Sequence, residues 1–291
     1  MVGLKHPTET FGTLSEYISS EGENFILEDC KIAISRWKWS KLWDENISYS
    51  GCDIIHAPSS LSPEEACSVG FTGLTLIPSL GLSPSLPPSG DPPLDMLSDV
   101  RGKNVLIVGA TGGLGSLAVQ YLNAAGANVD GIASQNEWLE KLPLQRHFNY
   151  SNKNFKSELE PDYYDLVLDC ADGKCYHWIA TYMNHESSHL VSYSSPLIQM
   201  VENDLLTSLP TFFAHRKSIE DQLRSEGGVG LNLRYGFFNY STCSFKKLHQ
   251  NLRANQIKPF ISETFSFSEA PEAFHSMSTK RHFGKVVIQM D

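Results

Sequence analysis

From residue 104 onward the chain alternates short apolar runs with amphipathic stretches. Residues 105–108 (Val-Leu-Ile-Val) are uninterrupted apolar, the pattern of a strand buried on both faces. Residues 115–125 read as a helix and residues 128–133 as the next strand, with further strand candidates at 165–169 and 188–193. Strand–helix–strand alternation with short connections predicts an α/β fold built on a doubly wound parallel sheet. At the C-terminal end, residues 265–274 read as a strand end running into a capped helix, and residues 284–289 as a closing strand.

Ahead of this region the pattern differs. In Ser62-Pro-Glu-Glu-Ala-Cys, Ser62 can cap a helix, Pro63 suits its first position, and Glu64 and Glu65 complement the positive end of the dipole. That helix should run to about Leu80. Five prolines within residues 83–93 then predict a loop. Residues 11–18 read as a turn leading into a short strand. Between them, residues 26–57 hold Trp37, Trp39 and Trp43 interleaved with Lys and Arg, a spacing that suits one helix face but carries no chemical motif.

Composition narrows the partners. With a net charge of −10 the chain has no overall attraction for polyphosphate, so nucleic acid is not expected. The longest apolar run is too short to cross a bilayer, so no membrane span is expected. The first residues show neither an apolar signal core nor an Arg-rich amphipathic stretch, so no targeting segment is expected. Six cysteines at irregular spacing, without a C-x-x-C pair, read as reduced thiols rather than metal ligands. His185 and His189, at i and i+4, could share a helix face, but no third ligand accompanies them, and no metal site is expected. The Asn-x-Ser triplets at Asn46, Asn149 and Asn239 matter only in a secreted chain.

The strongest chemical signal is residues 105–115, Val-Leu-Ile-Val-Gly-Ala-Thr-Gly-Gly-Leu-Gly. Gly109, Gly112 and Gly115, with Gly113 between, lie between a legible strand and a legible helix. Such a turn lets the backbone approach a pyrophosphate, which free N–H groups and the helix dipole then neutralise. A site for NADH usually ends its second strand in Asp or Glu. Here that strand ends in Ser134 and Gln135, and Asp130 lies too early to reach the ribose. Ser134 would not repel a 2′-phosphate, and Lys141 or Arg146 could lie near it, so NADPH is the expected cofactor. None of the eleven tyrosines has Lys four residues on. This argues against a short-chain dehydrogenase, as does a glycine turn that starts only at residue 105.

These features, together with residues 12–17, 61–66, 133–135 and 165–169 and the C-terminal pieces 190–196, 233–238, 257–274 and 284–288, resemble the quinone-reductase-like branch of the medium-chain dehydrogenase/reductase superfamily. The resemblance covers residues 58–291 and a short piece around 10–25. It implies a partial GroES-like β domain joined to a Rossmann domain: residues 1–60 as a remnant of the catalytic domain with an atypical Trp-rich insert, 61–258 binding NADPH, and 259–291 returning to the catalytic domain. It implies Thr111, Gly113 and Leu114 at the diphosphate, Ser134 and Tyr150 by the adenosine phosphate, and Cys170 and Tyr193 lining the cleft. Gly236 and Phe238, with His282, Phe283 and Gly284, would complete the nicotinamide side. The expected reaction is zinc-independent, NADPH-dependent reduction of a quinone or conjugated carbonyl (an enone), with no acid–base residue legible. The alternative is a truncated, catalytically impaired NADPH-binding or interaction protein, since most of the front domain is missing. The resemblance further implies a mitochondrial location, with a cytoplasmic one as the alternative, and a reticulon-type protein partner; a homodimer is a further expectation.

Overall fold

The computed structural model describes residues 17–20, 23–26, 55–82, 100–184, 188–194, 205–226, 231–238 and 242–290. The Trp-rich stretch, the Pro-rich loop, His185, Cys30, Cys52, Asn46 and Asn239 lie outside them. A small antiparallel sheet comprises β1 (Tyr17–Ser20), β2 (Glu23–Ile26) and β3 (Ile55–His56). Helix α1 (Pro63–Ile77) opens as the sequence predicts. Ser62 Oγ accepts from the Glu65 N–H (3.2 Å) and Glu65 Oε2 accepts from the Ser62 N–H (2.8 Å), a reciprocal capping box.

The centre is a six-stranded parallel sheet. Its strands are β4 (Asn104–Val108), β5 (Asn128–Ala133), β6 (Arg146–Asn149), β7 (Leu166–Asp169), β8 (Ser188–Ser192) and β9 (Leu231–Tyr235). Their spatial order is β6-β5-β4-β7-β8-β9. Strand order therefore reverses between β4 and β7, the switch point at which open α/β sheets bind ligands. Helix α2 (Gly113–Ala124) links β4 to β5, α3 (Asn136–Leu139) links β5 to β6, and α4 (Leu205–Ser225) precedes β9.

Both faces of this sheet are covered. Val105 and Ile107 pack into the core under α1, α2 and α5 (Thr242–Arg253), and Leu106 into the opposite core beside Val167, Ile179 and Leu223. All three β4 side chains have no solvent exposure, which explains the uninterrupted apolar run. Each contributes about 1.5–3 kcal/mol by burial. Helices α1 and α5 meet where a Cβ on Gly73 would come within 2.6 Å of the Leu248 side chain.

Two sequence expectations change here. His189 lies on β8, not on a helix, so the i, i+4 reading fails, and among the described residues no group of three or more His, Cys, Asp or Glu is placed to hold a metal. Arg146 does not approach Ser134. It closes on Asp130, which is 1% exposed in mid-β5: Nε donates to Oδ2 (2.9 Å), Nη2 lies 2.8 Å from the same oxygen, and the Arg146 N–H donates to Oδ1 (3.0 Å). Tyr164 Oη adds a 2.8 Å bond, and the guanidinium lies 4.5 Å from the Tyr163 ring centre. A buried carboxylate must be paired, and this one takes the arginine the sequence offered to a phosphate.

The C-terminal unit is a two-stranded parallel sheet, β10 (Ile261–Ser266) and β11 (Lys285–Gln289), joined through α6 (Ala270–Thr279). The predicted cap is present, with Ser266 and Glu269 bonded reciprocally.

Candidate functional site

After β4 the backbone turns sharply at Gly109 (φ 81°), whose N–H, like that of Ala110, donates to the Ile132 carbonyl. A Cβ on Gly109 would lie 3.1 Å from the Cys170 carbonyl oxygen, so the turn runs against the end of β7 at the switch point. Gly112 caps α2 with no side chain over it, and helical bonding begins with the Ser116 N–H donating to the Gly112 carbonyl. The N–H groups of Gly113, Leu114 and Gly115 therefore point outward with no acceptor among the described residues. A Cβ on Gly115 would run into the Gly109 carbonyl oxygen, so glycine is required for α2 to close onto the turn. On Gly112 the nearest atom would be 3.5 Å away, which leaves that approach open.

Residues 281–284 pass alongside. The Gly284 N–H donates to the Thr111 carbonyl (2.9 Å), and Gly284 sits at φ 89°, where a Cβ would strike the Phe260 carbonyl. Phe283 is held between Phe260 (ring centres 4.4 Å apart) and Trp138 (6.0 Å), with Lys141 Nζ 5.7 Å from its centre. Lys141 thus borders the Phe283 ring, while Arg146 is held by Asp130.

Two cations here escaped the sequence reading. The aliphatic stem of Lys285 lies on Gly113, where a Cβ would come within 2.7 Å of its Cδ and Cε. No carboxylate among the described residues pairs with its ammonium, and burial lowers its pKa. In sequence Lys285 reads only as the start of the closing strand. Arg281 lies 5.1 Å from the Tyr150 ring centre. Tyr150 is exposed, and its N–H donates to the Ala133 carbonyl, which holds it beside Ser134. The signal for both cations is proximity to the Gly284 turn, visible only once β11 is placed against α2.

At the other side of the crevice, Cys170 donates its N–H to the Val108 carbonyl, Tyr193 to that of Asp169, and Gly236 to that of Ser192. The Tyr193 ring lies on Gly236, where a Cβ would run into it. Ser79 Oγ donates to the Leu76 carbonyl (2.7 Å), so Tyr193 Oη must donate to Ser79 Oγ (2.6 Å). Phe238 stacks on Phe71 of α1 at 5.0 Å. Burial raises the Cys170 thiol and the Tyr193 phenol pKa values, so both stay neutral near pH 7. The His282 ring, by contrast, bonds Ser262 and Ser276 within the C-terminal unit, so only its backbone borders the turn.

Residues 143–288 match the zinc-binding dehydrogenase family. The chain belongs to that family. Of the curated relatives, the mitochondrial NAD(P)H oxidoreductase RTN4IP1 of Bos taurus is 27% identical over 262 residues, 89% of this chain and 63% of that protein. A zinc-type alcohol dehydrogenase-like protein of Schizosaccharomyces pombe is 27% identical over 82% of this chain and 63% of its own length. This family member thus spans less than two thirds of those relatives. Among solved structures, the quinone oxidoreductase from Coxiella burnetii superposes with a TM-score of 0.61 at 20% identity, over 82% of this chain and 64% of that one. The quinone oxidoreductase from Thermus thermophilus, solved also with NADPH, gives 0.54 at 22% identity over 81% and 69%. These likenesses establish the fold that the zinc-binding dehydrogenase match leads one to expect.

Proposed function

We propose that the chain binds NADPH across the 109–115 turn and directs its hydride to a quinone or another conjugated carbonyl. The observation that carries this reading is the set of three N–H groups at Gly113, Leu114 and Gly115 with no acceptor among the described residues, at the switch point, with the Lys285 ammonium, which pairs with no carboxylate among the described residues, on the adjacent stem. Helix dipole, free donors and cation suit a diphosphate. Ser134, Tyr150 and Arg281 are the residues we assign to the 2′-phosphate: no carboxylate ends β5, and Arg281 stands over the Tyr150 ring. Cys170, Tyr193, Gly236 and Phe238 would border the nicotinamide.

The cofactor supplies the hydride when bound. The chain's own residues then have three tasks. The turn and Lys285 fix the diphosphate, Tyr193 on Gly236 and Phe238 on Phe71 form an apolar wall, and burial keeps Cys170 and Tyr193 uncharged there. Catalysis by this arrangement rests on positioning and exclusion of water. In this reading zinc takes no part, and activity that survives a strong chelator is the expected outcome.

The test is NADPH and NADH binding to the purified chain by calorimetry, followed by absorbance loss at the nicotinamide band with a quinone and enone panel. Tighter NADPH binding and quinone-dependent oxidation are expected. Binding without turnover would favour a non-catalytic NADPH-binding protein. No binding of either nucleotide would overturn the assignment. A mitochondrial location and a reticulon-type partner follow only from the relatives' names, and fractionation and co-purification test them.

A further inference from the structure

We propose that Ser262 and His282 form a second reactive centre, a serine nucleophile with an imidazole base, that takes acyl groups from small activated esters. The pair lies in the C-terminal unit. Between β10 and β11 the register steps from Ile261↔Lys285 to Glu263↔Val286, so Ser262 is the extra residue of a β-bulge. Bulges re-aim side chains and recur beside active sites. Here the bulge leaves Ser262 exposed, with Oγ 3.3 Å from His282 Nδ1.

The proton positions follow from the partners. The Ser276 carbonyl, 3.1 Å from His282 Nε2, can only accept, so Nε2 carries the hydrogen. Nδ1 is then the ring's lone-pair acceptor, and the Ser262 hydroxyl is the donor facing it. Behind the ring, Ser276 Oγ donates to Glu263 Oε2 (2.9 Å), and Lys280 Nζ lies 3.6 Å from Glu263 Oε1. The Ser276 bond first, then Lys280 and His282, lower the Glu263 carboxyl pKa, so Glu263 stays an anion near the ring, bonded to Ser276 and paired with Lys280. Nucleophile, base and orienting carbonyl are thus linked in sequence, the arrangement nucleophilic catalysis uses. A separation of 3.3 Å suits a resting site, in which such bonds are often long.

In the reaction, Ser262 Oγ attacks the acyl carbon and its proton passes to His282 Nδ1. The bond from the acyl carbon to the leaving aryl oxide breaks, the oxide departs with the electron pair, and His282 Nδ1 gives its proton up to solvent. Water later attacks the acyl-serine, releasing the carboxylic acid and restoring the hydroxyl.

The full chain incubated with p-nitrophenyl acetate is expected to release a burst of p-nitrophenolate and to carry one acetyl group on Ser262 by peptide mass spectrometry. Ser262→Ala should abolish both at an unchanged melting temperature. His282→Gln should slow acylation about 100-fold, the scale of a lost general base. Acetyl groups spread over lysines and unchanged in Ser262→Ala would overturn the proposal. So would His282→Gln acylating Ser262 at the wild-type rate, which would mark a merely exposed hydroxyl.

Discussion

Alanine placed in turn at Gly112, Gly113 and Gly115 should separate the packing role of this turn from its binding role. At Gly115 the new Cβ would meet backbone on two sides, the Gly109 carbonyl, whose carbon would lie 2.9 Å away, and the Ala110 Cα at 3.0 Å. Neither can swing away, and α2 would have to lift by roughly 1 Å to restore ordinary contact. Overpacking of this kind costs up to about 3 kcal/mol, of which alanine's helix preference returns about 1. The net of about 2 kcal/mol lowers the melting temperature by roughly 3 °C in a chain of this size. At Gly113 the clash, at 2.7 Å, is with the flexible Lys285 stem, which can move aside. Gly113→Ala should therefore melt at or slightly above wild type, yet weaken NADPH by displacing the ammonium. At Gly112 the nearest atom is 3.5 Å away, so only the poorer cap counts, about 1 kcal/mol or less. Differential scanning fluorimetry with and without NADPH reads both effects. Gly115→Ala with a wild-type midpoint and a wild-type NADPH response would refute the geometric argument.

Three further outcomes are expected. Lys285→Met should weaken NADPH and NADH alike by about 10- to 150-fold, the scale of a charge-assisted hydrogen bond, whereas Arg281→Ala should weaken NADPH alone; calorimetry with both nucleotides checks this, and equal losses for Arg281→Ala would remove it from the 2′-phosphate. Arg146→Met should destabilise by about 3–5 kcal/mol in urea titrations, because Asp130 stays buried without its cation. Burial, reinforced by Arg234, lowers the His189 pKa, so below the unfolded value of about 6.5 the unfolded chain binds the extra proton. Stability should therefore fall as pH drops through that window, and His189→Asn should flatten the slope; an unchanged slope would contradict the assignment.

The β4 run, the helix start at Ser62–Glu65 and the glycine spacing at 109–115 were legible because each depends on residues adjacent in sequence. Periodicity shows a buried strand, a capping Ser before Pro and two Glu shows a helix start, and glycines show where the backbone must turn. The family resemblance extended this to Cys170, Tyr193, Gly236 and Phe238, all of which the sheet order brings to the ends of β7, β8 and β9. Charges were not legible in the same way. Arg146 stood close to Ser134 in sequence, but strand register set it against Asp130, and a buried carboxylate takes the nearest cation. Lys285 and Arg281 lie more than a hundred residues from the turn they flank, and they reach it only because the segment before β11 bonds to Thr111. The ring of His282 faces Ser262 for a similar reason, the bulge in β10. Sequence alone thus determined β4, β5, β7, β8, the first two helices and the glycine turn, since local backbone geometry fixes them. Which charged side chains serve that turn, and which are consumed elsewhere, was decided by the tertiary structure, because pairing and burial are set across strands.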